Sequence, residues 1–216
     1  MIEKNQTSRT YENIRQKIIT GEYPPLVKLH EMDLAAQYSV SRNTIKKALL
    51  MLERENLVNI EVNKGATVKS FSVEEVKEFL DLRATLERFI VGKTVPVISE
   101  EALGTMQSIL DTMKKFMDQH NLLEYSKNNL RFHDVIYSAC PNHTAVEMTL
   151  RLKLQMRKYN TKTILVPGRD VNSFAEHSAI FKAFKKRNTA EAEALVEQHI
   201  LNVKKTLEEN ISLLFL

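Results

Sequence analysis

The chain has almost nothing with which to build a covalent or thiolate framework, since its 216 residues include a single cysteine, Cys140. One thiol excludes an intramolecular disulfide and cannot form a thiolate metal cluster by itself, which agrees with a reducing compartment. Cys140 reads as a packed or spare thiol. Long apolar runs are also missing. None approaches the roughly 18 to 20 residues needed to cross a bilayer, and the start, Met1 to Thr10, is polar, without the apolar stretch of a signal peptide. The expectation is a soluble cytoplasmic protein with no membrane partner. There is no internal repeat or low-complexity tract. Nucleophile motifs, a phosphate-binding glycine loop and a His-Glu pair at hydrolase spacing are absent too, which leaves little support for an enzyme.

What is present begins with charge. The net charge of +4 is modest, but residues 1 to 70 carry eleven Lys/Arg against eight Asp/Glu, so most of the excess lies in the first third. Such asymmetry is the footprint of an attached DNA-binding module. A helix is predicted over 10–20, where Tyr11, Ile14, Ile18 and Ile19 form an apolar stripe that Gly21 ends, and Pro24-Pro25 force an extended link. A short helix over 31–38 follows, with Leu34 and Ala35 inward. Ser41 then offers an N-cap for a third helix running to about Asn56. Leu57 to Val62 alternates apolar and polar, 63–65 reads as a turn, and Ala66-Thr67-Val68 reads as a return strand. Helix, tight turn, helix and hairpin make a winged helix-turn-helix over residues 1–70.

From 71 to 216 the pattern is helical throughout, with helices predicted near 73–95, 100–117, 121–139, 143–164, 171–186 and 189–213, broken by Pro96, Pro141 and Pro167-Gly168. The fold class is therefore mainly α: a winged helix-turn-helix followed by an all-helical bundle.

On the third helix, Arg42, Asn43, Lys46 and Lys47 occupy the first two turns, while Ile45, Ala48, Leu49 and Leu52 form the inward stripe. Arg or Lys in a major groove donates to guanine, Asn pairs with adenine, and Ser41 and Thr44 suit phosphate oxygens. A solvated basic face is the usual meaning of such a helix in isolation, but the preceding short helix and the hairpin bearing Lys64-Gly65 favour DNA.

Three of the six histidines, His133, His177 and His199, fall on three predicted helices. Leu195 and Val203 flank His199 at four residues on either side, which turns its ring inward. Asn129 lies four residues before His133, on the same helix face. Three neutral imidazoles with an amide oxygen suit Zn²⁺, Ni²⁺ or another divalent first-row ion. Hydrogen-bonded core histidines are the commoner explanation from spacing alone. His30, His120 and His143 have no spacing partners and read as surface or turn residues. The apolar close, Ile211 to Leu216, reads as core or dimer contact.

The run Leu34-Ala35-Ala36-Gln37-Tyr38-Ser39-Val40-Ser41-Arg42-Asn43-Thr44-Ile45-Lys46-Lys47-Ala48-Leu49, continuing through Leu52 to Val58 and then Lys64-Gly65-Ala66-Thr67-Val68, resembles the GntR family of winged-helix regulators. The resemblance implies that Ser41, Arg42, Asn43, Thr44, Lys46 and Lys47 meet operator DNA and that Lys64-Gly65 brings the wing toward a minor groove. This chain departs from the usual pattern at Lys46 (commonly arginine), Lys47 (commonly glutamate) and Asn56 (frequently glycine). Losing an arginine fork alters the base read, and the added charge raises non-specific affinity.

Asn129-Leu130-Arg131-Phe132-His133, with His177 and His199, is similar to the metal-binding pattern of the FadR-like subgroup with an FCD-type C-terminal domain. Leu82-Arg83 through Leu86-Glu87 is similar to that subgroup's first sensor helix. The resemblance implies a metal held by Asn129, His133, His177 and His199. It also implies a small carboxylate effector at or beside the metal and within reach of Arg83, which could equally be an ion pair with Glu87. Many members carry aspartate at the position of Asn129, so this site is one unit more positive. The function implied is a homodimeric regulator, a repressor before an activator, on a palindromic operator. A metal-dependent enzyme using the three histidines and a helical protein-interaction module are the alternatives; Glu176, beside His177 but on another helix face, is a poor general base for the former.

Overall fold

The computed structural model describes residues 6–61, 65–156 and 163–214. The chain divides into two compact units, with the division between Ser72 and Val73.

In the first unit, α1 (Gln6–Thr20), α2 (Glu31–Tyr38) and α3 (Arg42–Arg54) accompany a small antiparallel sheet of β1 (Lys28–Leu29), β2 (Val58–Glu61) and β3 (Gly65–Val68), in the order β1-β3-β2. Ser41 caps α3, its hydroxyl oxygen accepting from the Thr44 N–H at 3.1 Å. The stripe Ile45, Ala48, Leu49 and Leu52 is fully buried with Ile14, Leu34, Val58, Ala66 and Val68. Tyr11 and Arg15 of α1 both donate to the Glu55 carboxylate, at 2.5 and 2.9 Å, tying α1 to the end of α3.

Several turns hold a residue in the left-handed region, Leu26 (φ 67°) among them. Ser39 (φ 52°) makes the turn between α2 and α3, and Asn56 (φ 61°) ends α3. Asparagine tolerates this region better than most side chains do, which accounts for a residue other than glycine at 56, and the Asn56 side-chain oxygen accepts a hydrogen bond from the Lys69 ammonium. Gly65 (φ 87°) opens β3, where a Cβ would stand 2.9 Å from the Leu29 carbonyl oxygen. β1 lies in the stretch expected to be only a link. It pairs Lys28 with Thr67 and Leu29 with Ala66, so the hairpin is one part of a three-stranded sheet.

The second unit is helical: α4 (Val73–Thr94), α5 (Glu100–Asp118), α6 (Leu122–Ala139), α7 (His143–Gln155), α8 (Arg169–Lys185), α9 (Thr189–Glu209) and α10 (Ile211–Leu214). Ser99, Asn121, Asn142 and Asn188 each cap a helix by accepting from the N–H three residues on, which fixes where α5, α6, α7 and α9 begin. α4 packs along α9, α5 against α6 and α8, α8 against α9, and α6 and α7 against α4. Tyr125, Phe132, Phe184, Leu80, Ile90, Met106, Met113 and Ile136 are among the largest fully buried side chains of this unit.

Beyond β1, helix bounds differ from expectation: α1 begins at Gln6 and not near residue 10. The helix predicted over 143–164 ends at Gln155, and residues 157–162 lie outside the described part. The helix predicted over 189–213 ends at Glu209, because Asn210 (φ −130°) leaves helical geometry before α10.

Candidate metal and effector site

His133 on α6, His177 on α8 and His199 on α9 converge in the interior of the second unit, and each is almost wholly buried. One ring nitrogen of each lies within 4.8 Å of the others. The outward nitrogens each face an acceptor. His177 Nδ1 is 2.6 Å from the Ser173 carbonyl oxygen one turn earlier on α8, and His199 Nδ1 is 2.6 Å from Glu176 Oε2. His133 Nδ1 faces Glu87 Oε2 at 3.4 Å. A carbonyl or carboxylate only accepts, so His177 and His199 carry their proton on Nδ1 and present a bare Nε2 to the centre. Outer acceptors of this kind orient metal-binding imidazoles.

Neither neutral form of His133 suits its surroundings. Its Nε2 lies 3.1 Å from His177 Nε2. A proton on His133 Nδ1 leaves two Nε2 lone pairs facing each other, whereas a proton on Nε2 turns a lone pair onto the Glu87 carboxylate. A cation where the Nε2 atoms converge removes the conflict, and two nitrogens bound to one Zn²⁺ at about 2.0 to 2.1 Å stand about 3.0 to 3.4 Å apart. The residues present therefore fit a divalent ion.

The electrostatics agree. Burial pushes His133 down to about 4 against the pull of Glu87. Burial and the two neighbouring imidazoles hold His177 well below its ordinary range. Burial lowers His199 as well, opposed by Glu176. All three are neutral near neutrality. As pH falls through about 6.5 the unfolded chain takes up protons on these rings while the folded chain does not, so folded-state stability is lost across the window from about 6.5 down toward 4. Burial raises the Glu87 and Glu176 carboxyls, but Arg83 beside one and His199 beside the other bring both below their usual value, so their contribution is lost only below about pH 4.5. For chelator-treated protein, urea denaturation at about pH 5 is expected to show a loss of about 2 kcal/mol from His133 alone relative to about pH 7. Equal stability at both would count against buried neutral imidazoles.

Asn129 is half-buried and donates from Nδ2 to Ser173 Oγ at 3.3 Å; that hydroxyl lies 3.4 Å from His177 Nδ1. The amide thus joins the histidines through Ser173. Arg83 and Glu87 form a buried ion pair, Nε to Oε1 at 2.5 Å, so Glu87 links Arg83 to His133. Glu176, next to His177 in sequence, accepts instead from His199, from Arg169 at 2.8 Å and from Asn202 at 2.8 Å. Glu87 and Glu176 are participants that spacing alone did not reveal. His30, His120 and His143 are exposed.

In the first unit, Ser41, Arg42, Asn43, Lys46 and Lys47 are exposed on one side of α3, and Thr44 is half-buried. Arg42 Nη2 donates to Glu31 Oε2 at 3.2 Å, and the Ser41 and Thr44 hydroxyls share a 2.9 Å hydrogen bond. Gly65 opens the returning wing strand, while Lys64 lies outside the described residues.

Comparison with known proteins decides the family. The model described as bacterial regulatory proteins, gntR family, matches residues 6–68, and that of the FCD domain matches residues 78–202. The chain belongs to the GntR family, with an FCD domain. This GntR protein is similar to the transcriptional repressor GlaR of Escherichia coli, 26% identical across 88% of this chain and 90% of that protein. It is 29% identical to the gluconate operon transcriptional repressor of Bacillus subtilis across 65% of this chain and 57% of the other. Among solved structures, E. coli McbR/YncC shares the fold, with a TM-score of 0.75 at 18% identity over 98% of this chain and 97% of that one. A GntR regulator from Rhodococcus gives 0.72 at 21% over 94% and 97%. The chain is a transcriptional regulator and not an enzyme, which removes the metal-hydrolase alternative. Its winged helix implies DNA as a partner and its FCD domain a small-molecule effector; among the described residues no helix is long and apolar enough to cross a membrane.

Proposed function

We propose that this GntR regulator is a homodimeric, cytoplasmic repressor whose operator affinity is set by a small carboxylate bound at or beside a metal. The metal, Zn²⁺ or Ni²⁺, is held by His133, His177 and His199 with Asn129, and Arg83 receives the effector's charge. The observation that carries this reading is the His133 conflict: buried Nε2 atoms meet at 3.1 Å, while His177 Nδ1 donates to the Ser173 carbonyl and His133 Nδ1 lies buried 3.4 Å from Glu87 without a hydrogen bond. A metal there supplies a Lewis-acidic centre for a carboxylate oxygen. Glu87 and Glu176 hold the rings in place, and Ser173 positions Asn129. Dimerisation is supported by Leu82 and Phe89, seven residues apart on α4 and 48% and 42% exposed, an apolar pair on one helix face. A two-fold protein matches a palindromic site. Control by the effector requires only that it bind the DNA-competent and incompetent states unequally.

On DNA, the residues proposed are Ser41, Arg42, Asn43, Thr44, Lys46 and Lys47 at the start of α3, with Lys64 and Gly65 on the wing. Binding is tested on a palindromic duplex selected from a random library. Arg42→Ala and Lys46→Ala are expected to weaken specific binding by roughly ten- to a hundredfold through lost base contacts. Lys47→Ala is expected to weaken all duplexes alike and to lower the salt slope by about one. Selection of no preferred duplex, or parental affinity in all three variants, would overturn the assignment of α3. Addition of Ni²⁺ with a carboxylate panel then reads effector control on the same duplex.

A further inference from the structure

Lys153 of α7 breaks a habit of lysines. The residue is half-buried, yet its ammonium turns inward instead of reaching for water. The Nζ lies 4.6 Å from the centroid of the Tyr137 ring and 3.3 Å from the Tyr137 hydroxyl oxygen, and Tyr137 is itself 5% exposed. Tyr137 stacks on His133 with ring centres 6.2 Å apart, so Lys153 stands one ring away from the histidine centre. Burial, and after it the like charge of Arg83, brings the Lys153 ammonium down to about 8. The groups facing this amine are Arg83, Glu87, Tyr137 and the exposed Asp134. Two cations share one buried carboxylate, Glu87, whose Oε1 is bonded to Arg83 Nε and whose Oε2 faces His133 Nδ1 at 3.4 Å. No salt bridge joins Lys153 to an acidic group among the described residues.

We propose that Lys153 is a specificity-determining residue that receives a second anionic group of the effector, making the ligand a small dianion such as a dicarboxylate and not a monocarboxylate. The inference rests on the effector reading of the histidine and Arg83 site and deepens it. One carboxylate meets the metal and Arg83, the other meets Lys153 across Tyr137, and both cations are then balanced.

The test uses the full-length Ni²⁺-loaded protein and matched pairs of probes, succinate against butyrate and malonate against propionate. Affinity is read by calorimetry and by the ligand-dependent rise in melting temperature. At least one diacid is expected to bind roughly ten- to a hundredfold tighter than its monoacid partner, the worth of one charge-assisted contact. Lys153→Met is expected to close that gap while leaving monoacid affinity and ligand-free DNA binding unchanged; Lys153→Arg is expected to keep it. A lysine that merely packs on Tyr137 would leave the diacid preference unchanged on substitution, whatever the effect on ligand-free stability. Equal binding of diacids and monoacids, or a gap that persists in Lys153→Met, overturns the dianion assignment and leaves the effector site standing. Failure of every acid to bind overturns both.

Discussion

Zn²⁺ or Ni²⁺ added to chelator-treated protein is expected to raise its melting temperature by on the order of 10 °C, and His177→Leu is expected to abolish the rise. The size follows from mass action, since an ion at a thousandfold its dissociation constant adds about 4 kcal/mol to the folded state, and each kcal/mol moves a domain of this size by about 2 to 4 °C. Leucine fills much of the ring's volume without its lone pair. In the metal-free protein His177 Nε2 faces His133 Nε2 at 3.1 Å, so removing one of two opposed acceptors should cost the apo fold little. A core histidine with no metal role behaves in the opposite way: its loss lowers apo stability and leaves no metal increment to lose. Asn129→Asp extends the same experiment. The added carboxylate makes the centre one unit more negative, and tighter metal binding is expected; equal affinity would count against Asn129 as part of the site.

The features legible in the sequence were those written as local period and capping chemistry. Ile45, Ala48, Leu49 and Leu52 recur at helical spacing and are all buried. Ser41, read as the cap of the third helix, caps it. The inward direction of His199 followed from its neighbours, and Val203 is buried and Leu195 partly so. What escaped depends on partners distant in sequence. β1 is two residues long, too short to show a period, and exists because β3 supplies its hydrogen bonds. Glu176 adjoins His177 yet serves His199, because successive helical residues point about 100° apart and the rotation of α8 against α9 is set by packing. Arg83 and Glu87, four residues apart, allowed an ion pair or an effector contact. The ion pair is present, but its reach to His133 depends on how α4 meets α6.

Glu87→Leu is expected to be the most destabilising single change in the second unit, by about 3 to 5 kcal/mol, because it leaves the Arg83 guanidinium buried without its counter-charge. Arg83 is 5% exposed and Glu87 1%, so water cannot take over the lost contact. The double variant Arg83→Met, Glu87→Leu removes both charges and is expected to recover most of that loss, since a buried pair replaced by apolar side chains of similar size is often neutral. Denaturant titration of the parent, both single variants and the double variant measures the coupling. Metal binding separates a second role for the same carboxylate. In the double variant the fold is restored but His133 Nδ1 no longer faces an acceptor, so metal affinity is expected to stay down by about ten- to a hundredfold, the usual cost of losing a group that orients a ligand. Recovery of stability together with parental metal affinity would make Glu87 a partner of Arg83 alone. Loss of metal affinity in a stable double variant makes it the hinge between the cation that would receive the effector and the imidazole that would hold the ion.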